Sequence, residues 1–514
     1  MKTLFSKHLI FVAVYFCSLC PASLIAAQLT LEQKQETPKM MKGRNWNLLK
    51  YDNGDIIAYE HTYSEFTLVR FDKTFNIKQE YSLKKAPYQM AYINADGQQI
   101  DAVLYDQNNN VQHVAFDKNT LSLLKSETLI EQQKYGKFCV KYNNVYVKTS
   151  PNGKYIAVLA MWDHASVAQA FNSNHLYLYN DKFEKIGNWS IDEDQRGVSL
   201  KSKENAALWQ QYYPNFIVND DGTVVYAALS DFGSNLYSTE FGSGSSLKVH
   251  VLSTVGDKAY DFGIVAEKQH LQAPYILSYD GSQLLLTTDI YNYPPAKVNS
   301  NAEFVYKIQG YCLLTCDLTA NTCVKEIGSY DGAYTSVVET TAWNRVFADV
   351  NRSAPNGMSS LTECGDNGRL FTDDRNNQGI VLMDTNGKNR KVLTFGYEYT
   401  QKNKGLVGSA ESHIRDLMID KAVFIESNGT LCTTTVNDKF YWVVRHCVSD
   451  GSWSKEKYET SISVREVDLA NREVKTSSVF QEKAKEWMAV QTVCMSEGKY
   501  LVLIDGCQWG TLEL

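Results

Sequence analysis

Carboxylates and aromatic or basic side chains recur together along this chain. They appear as Glu60-His61, Asp106, Trp162-Asp163-His164, Asp231-Phe232, Asp289-Ile290-Tyr291-Asn292-Tyr293, Asp373-Asp374-Arg375 and Asp505. Carboxylates accept hydrogen bonds from hydroxyl and ammonium groups, and aromatic faces cover sugar rings or cations. Trp162, Asp163, His164, Asp231, Asp289, Tyr291, Asp373 and Asp505 are therefore the candidate ligand-binding residues. The chemistry expected of them is recognition of a glycan or a protein partner. The plainer reading of the same aspartates is that each caps its own turn. Covalent chemistry has less support. No G-x-S-x-G elbow, H-E-x-x-H helix or Walker loop occurs, so the sequence nominates no catalytic residue and no cofactor.

Each of these residues stands at the end of an apolar run, and the runs belong to a repeated unit. The clearest copy is Ser150-Pro151-Asn152-Gly153-Lys154-Tyr155-Ile156-Ala157-Val158, and looser copies surround Asn53-Gly54, Asp96-Gly97, Asp221-Gly222, Asp280-Gly281, Asn367-Gly368 and Glu497-Gly498. Asx-Gly between apolar strands is a hairpin signal, because Gly adopts positive φ without a Cβ clash. A second hairpin follows in several copies, as in Thr67 to Asp72 with Ile77 to Leu83 and His175 to Asn180 with Phe183 to Trp189. Val381 to Asp384 with Lys391 to Thr394, and Ser463 to Asp468 with Val474 to Val479, repeat it. Four antiparallel strands per unit, repeated, predict an all-β chain: a single β-propeller of four-stranded antiparallel blades.

Units fall near 45–83, 88–128, 145–190, 211–268, 273–327, 357–395 and 430–480, with another from 489. Eight blades are favoured over seven. The last unit supplies three strands, Val490 to Met495, Lys499 to Ile504 and Gly510 to Leu514. Gln28 to Gln33 alternates like a strand and has no other home, so the N-terminal strand is expected to close the ring and remove an open sheet edge.

The Ser150–Val158 phrase resembles the repeat of the Tol-type, WD40-like β-propellers. The resemblance implies the fold and leaves the activity open, since this architecture hosts scaffolds, receptors and enzymes.

Residues 1–27 read as a signal peptide: Lys2 and Lys7, an apolar run from Leu9 to Leu19, and Ala26-Ala27 as a cleavage site. The propeller domain is then 28–514, secreted or periplasmic, with no later stretch apolar enough to span a membrane. Formal net charge is -7 and no Lys/Arg cluster occurs, which argues against a nucleic-acid partner. An exported chain favours disulfides. Hairpins are expected to join Cys316 to Cys323 and Cys432 to Cys447. Cys312, Cys316 and Cys323 lack a CxxC knuckle and a nearby His, so no metal site is assigned.

Two functions follow from these residues. One is an exported propeller binding protein or scaffold with an acidic, aromatic face for a glycan or protein. The alternative is a polysaccharide-acting hydrolase or lyase with its carboxylates in the channel, for which a pair about 5–10 Å apart would be required.

Overall fold

The computed structural model describes residues 27–31, 46–62, 64–87, 89–106, 110–131, 134–135, 138–139, 141–163, 173–192, 215–230, 246–263, 270–271, 275–291, 296–297, 304–338, 369–372, 378–382, 386, 388, 391–394, 429–437, 439–449, 458–468, 470–471, 473–484, 488–506 and 508–514. The described chain is all-β. Its first sheet holds Asn47–Asp52, Asp55–His61, Glu65–Asp72 and Ile77–Lys84, hydrogen-bonded in chain order. The first turn is set by Asn53 at φ +52° and Gly54 at φ +90°. Two successive positive φ values make the twisted two-residue hairpin that antiparallel strands prefer. Gly153, Gly222, Gly281 and Gly498 also have positive φ, where the sequence predicted turns.

The second sheet (Gln89–Asn94, Gln99–Tyr105, Val111–Asp117, Leu123–Ile130) and the third (Lys141–Thr149, Tyr155–Asp163, Ser173–Asn180, Lys185–Asp192) repeat this order, as does the fourth (Asn215–Val218, Val224–Ser230, Ser246–Leu252, Lys258–Gly263). The fifth is built on Tyr275–Tyr279, Gln283–Tyr291, Phe304–Asp317 and Thr322–Val338, with two short added strands. Three strands form the sixth: Arg369–Thr372, Gln378–Leu382 and Lys391–Thr394. The seventh comprises Gly429–Val436, Lys439–Ser449, Tyr458–Asp468 and Glu473–Ala484. In the eighth, Val490–Ser496, Lys499–Ile504 and Gln508–Glu513 are followed outward by Gln28–Leu31, which pairs with Leu31 opposite Gly510 and Gln28 opposite Glu513. The N-terminal strand thus supplies the fourth strand of the last sheet.

Among the described residues, apolar clusters join the first five sheets in sequence order, the seventh to the eighth and the eighth to the first. Ile57, Phe66 and Leu68 of the first meet Ala102, Leu104 and Phe116 of the second. Val103 and Val111 meet Val158 and Tyr177, Leu159 and Leu178 meet Phe216 and Tyr226, and Val225 and Val249 meet Leu284 and Leu314. Val443 and Val464 of the seventh sheet pack on Val490 and Val502 of the eighth. Trp46, Ile56 and Phe71 of the first pack on Leu503 and Trp509 of the eighth. Polar ties also join neighbouring sheets. Lys50 pairs with Asp96, the Asn152 amide donates to Asp220 Oδ1 at 2.8 Å, and Lys388 reaches Glu326 at 2.7 Å. The Thr492 hydroxyl donates to the Leu431 carbonyl at 2.7 Å.

Two sequence expectations are corrected here. Phe183 is not in the outer strand. It sits in the turn before Lys185–Asp192 at φ +61°, a cost of about 1–2 kcal/mol for a residue with Cβ, offset by its burial. The register also sets Cys432 opposite Val443 and Cys447 opposite Thr460. Cys432 and Cys447 are therefore four positions out of step along the paired strands, about 13 Å at strand rise, and are not cross-strand neighbours. Cys316 and Cys323 do stand directly opposite each other.

Candidate functional site

Chain order equals spatial order in the four-stranded sheets that begin with their own first strand, so the second strand of each ends at an equivalent place. Glu60 and His61 close Asp55–His61, and Asp106 follows Gln99–Tyr105. Asp163 ends Tyr155–Asp163 and Asp505 follows Lys499–Ile504. In the fifth sheet Asp289 and Tyr291 are among the last three residues of the strand Gln283–Tyr291. Register places Asp163 opposite Lys141 and Asp289 opposite Tyr311. Trp162 pairs with Tyr142, and Tyr291 with Ile308. His164, Asp231 and Asp373 lie outside the described residues.

Two of these strand ends have described side-chain surroundings. His61 Nε2 donates to the Pro87 carbonyl at 2.6 Å, which fixes the proton on Nε2 and leaves Nδ1 as an acceptor. Burial pulls the His61 pKa below its ordinary value, against the opposing pull of that hydrogen bond. Nearby, Lys84 pairs with Glu65 and, through its hydrogen bond, holds that carboxyl below the usual range. Asp505 is exposed in a turn at φ +50°, and its amide donates to the Ala489 carbonyl at 2.6 Å. Asp505 therefore sits in a backbone-anchored turn, with its side chain at the surface.

Beside Asp289, Tyr311 lies across Gly328. A Cβ on Gly328 would come within 2.2 Å of the Tyr311 ring, so Gly at this strand position lets an aromatic lie flat. Asp289 and Tyr311 thereby bring a carboxylate position and an aromatic ring to one register row.

The aspartates of the third-to-fourth-strand turns behave differently. Asp72 Oδ1 accepts from the Thr74 amide at 2.8 Å, the Thr74 hydroxyl at 2.7 Å and the Asn76 amide at 3.0 Å. Asp117 and Asp317 make the same kind of turn. Their oxygens accept from the amides and side chains of their own turns. This is turn capping.

Two further groups escaped sequence reasoning. Lys148, half-buried on the first strand of the third sheet, places Nζ 5.1 Å from the Phe216 ring, and burial brings its pKa down to about 8. His113 is buried between Asp101 and Glu127. These three come from three strands, and no local spacing signals them. Only the register, which pairs Val103 with His113 and His113 with Glu127, assembles them.

No protein-family model matches this chain, and no curated protein matches it. Among solved structures it is similar to the WD40 domain of SCAP from fission yeast, at 7% identity and a TM-score of 0.36, over 94% of this chain and 98% of that one. It is also similar to the Dos1 propeller, at 10% identity and a TM-score of 0.32, over 94% and 82%. A polysaccharide lyase, an ulvan lyase, aligns at 8% identity and a TM-score of 0.33, over 58% and 70%. These are distant likenesses of shape, and the propeller-like class rests on the strand pairing and seams described above. No helix among the described residues is long and apolar enough to cross a membrane.

Proposed function

We propose that this chain is an exported eight-bladed propeller, closed into a ring by its N-terminal strand, that binds a glycan or a protein partner on one acidic and aromatic face. The observation that carries the reading is the repetition of position. Glu60-His61, Asp106, Asp163, Asp289 and Asp505 all occupy the same end of the second strand of their sheets. In a ring of such sheets, equivalent ends share one face around the channel.

Closure is supported by seams on both sides of the eighth sheet, by the Lys388–Glu326 pair between fifth and sixth, and by the approach of Lys391–Thr394 to Glu473–Ala484 between sixth and seventh. Residues 1–27 are read as a leader, which supports a secreted or periplasmic location, and the resemblance of the Ser150–Val158 phrase to Tol-type repeats belongs to the same reading. Like carboxylates gathered on one face create a negative field that attracts cations and hydroxyl-rich ligands, and the same field disfavours nucleic acid.

A glycan and peptide array probed with residues 28–514 tests the proposal. Saturable retention of a cationic peptide or an intact glycan is the expected outcome. Release of new reducing ends from a retained glycan would instead assign the polysaccharide hydrolase or lyase activity. Absence of any saturable binding would contradict the proposal.

A further inference from the structure

The seams between sheets repeat one contact. Phe75, Leu121 and Phe183 sit in third-to-fourth-strand turns at φ +60°, +53° and +61°, and each is buried against the preceding sheet. Phe75 packs on Trp509 with centroids 5.6 Å apart, Leu121 shares an apolar cluster with Phe66, and Phe183 stacks on His113. Trp509, Phe66 and His113 all stand near the start of the third strand of their sheets. Two of the three receiving side chains carry no charge at any pH. The third is an imidazole.

His113 is 1% exposed, and its ring lies 3.7 Å from that of Phe183 with planes 17° apart. Nε2 is 2.8 Å from Asp101 Oδ1 and Nδ1 is 3.0 Å from Glu127 Oε1. An ionised carboxylate only accepts, and a neutral imidazole donates from one nitrogen. Both contacts are hydrogen bonds together when both ring nitrogens carry protons. A neutral ring would set one lone pair against a carboxylate in a buried seam, which is costly.

We propose that the seam between the second and third sheets is a proton-operated latch. It is closed with His113 doubly protonated between Asp101 and Glu127, and loosened when the ring loses a proton or the carboxylates gain one. The same geometry that makes Phe75 and Leu121 permanent anchors makes Phe183 a conditional one.

The surrounding charges suit this role. On the fourth strand, Lys125 Nζ is 2.6 Å from Glu127 Oε1. Burial raises the Glu127 carboxyl, but hydrogen bonds from Lys125 and His113 outweigh it and leave the group below the ordinary range. On the second strand, Gln99 Nε2 donates to Asp101 Oδ1 at 2.8 Å. Tyr92 of the first strand feels the Asp101 charge, and burial is the main cause of its raised pKa. From the third sheet, Tyr177 and Tyr179 face the seam, with the Tyr179 hydroxyl bonded to the Leu129 carbonyl at 2.9 Å. Asp181, Lys182, Glu184 and Lys185 of the Phe183 turn are exposed to water. The sign follows. The latch contributes while the imidazolium persists, is lost as pH rises and the ring gives up its proton, and is lost again in acid as Glu127 becomes protonated.

Amide hydrogen exchange on the full chain tests it, compared between about pH 6 and about pH 8.5, with rates corrected for intrinsic chemistry. Protection of the turn at 180–184 should fall by about tenfold or more at the higher pH, while the equivalent turns at 72–76 and 117–122 hold theirs. In H113F, which restores an apolar ring at the receiving position, the pH response at 180–184 should disappear. Equal pH responses in all three turns of the wild-type chain would overturn the latch, and that comparison requires no variant to fold.

Discussion

The Leu48 amide donates to Gln491 Oε1 across 3.2 Å, joining residues 443 positions apart in the chain. Leu48 lies on the first strand of the first sheet and Gln491 on the first strand of the eighth, so the bond spans the seam where the two ends of the fold meet. Trp46, Phe71, Phe75 and Trp509 bury that seam, and the outer strand Gln28–Leu31 finishes the eighth sheet beside it.

Gly510 tests the outer strand. A Cβ there would stand 2.3 Å from the Thr30 carbonyl oxygen and 2.9 Å from Leu31 Cα. Gly510→Ala should destabilise the chain by about 1–3 kcal/mol in urea unfolding. The penalty should largely vanish in a chain beginning after Glu36, because the clashing backbone is gone, and a double-mutant cycle reads the coupling. A full penalty in the shortened chain would place the cost elsewhere.

Cys316 and Cys323 test the redox state. Their sulfurs are 2.6 Å apart at directly paired positions, and a hydrogen bond from Cys316 lowers the Cys323 pKa. Half-buried Cys323 is therefore the better nucleophile. Oxidative folding should yield a Cys316–Cys323 disulfide in non-reducing peptide maps, adding about 2 kcal/mol by closing a short loop. Recovery of both as free thiols after oxidation would contradict this expectation.

Acid should loosen the turns before the strands. The Asp72 carboxyl is held at about 2: burial raises it, but hydrogen bonds from Thr74 and Asn76 prevail. Its folded value lies below its unfolded one, so its contribution is present above about pH 4 and fades as pH falls toward about 2. Asp72→Ala should lower the melting temperature at neutral pH and shrink the difference from wild type in acid. A difference independent of pH would mean that the carboxylate is not the stabilising form.

The fold was legible in the sequence because its instructions are local. Asn53-Gly54, the Ser150 turn and the apolar runs in Asp55–His61 or Lys499–Ile504 each act within a few residues. Even the home of Gln28–Leu31 was readable, from a last unit with three strands. Phe183 misled, because its apolar character fits a strand and its left-handed turn is stabilised by burial against another sheet. The Cys432–Cys447 expectation failed on register, because the tight turn between Val436 and Lys439 sets Cys432 opposite Val443. Of the candidate site, the equivalent positions of Asp163, Asp289 and Asp505 could be read from repeat spacing. The Asp101–His113–Glu127 group could not, since three strands must pair before it exists.

Affinity measured on the Asp163→Asn/Asp289→Asn double variant tests the central claim most directly. Both positions lie at second-strand ends, in the third and fifth sheets, and Asn preserves shape while removing charge. Titrating wild type and variant with the strongest glycan or peptide from the array should show binding weakened by about tenfold or more, as loss of charge-assisted hydrogen bonds implies, with melting temperatures alike. Equal affinity in the two proteins would contradict a shared acidic face and leave these aspartates as ends of strands alone.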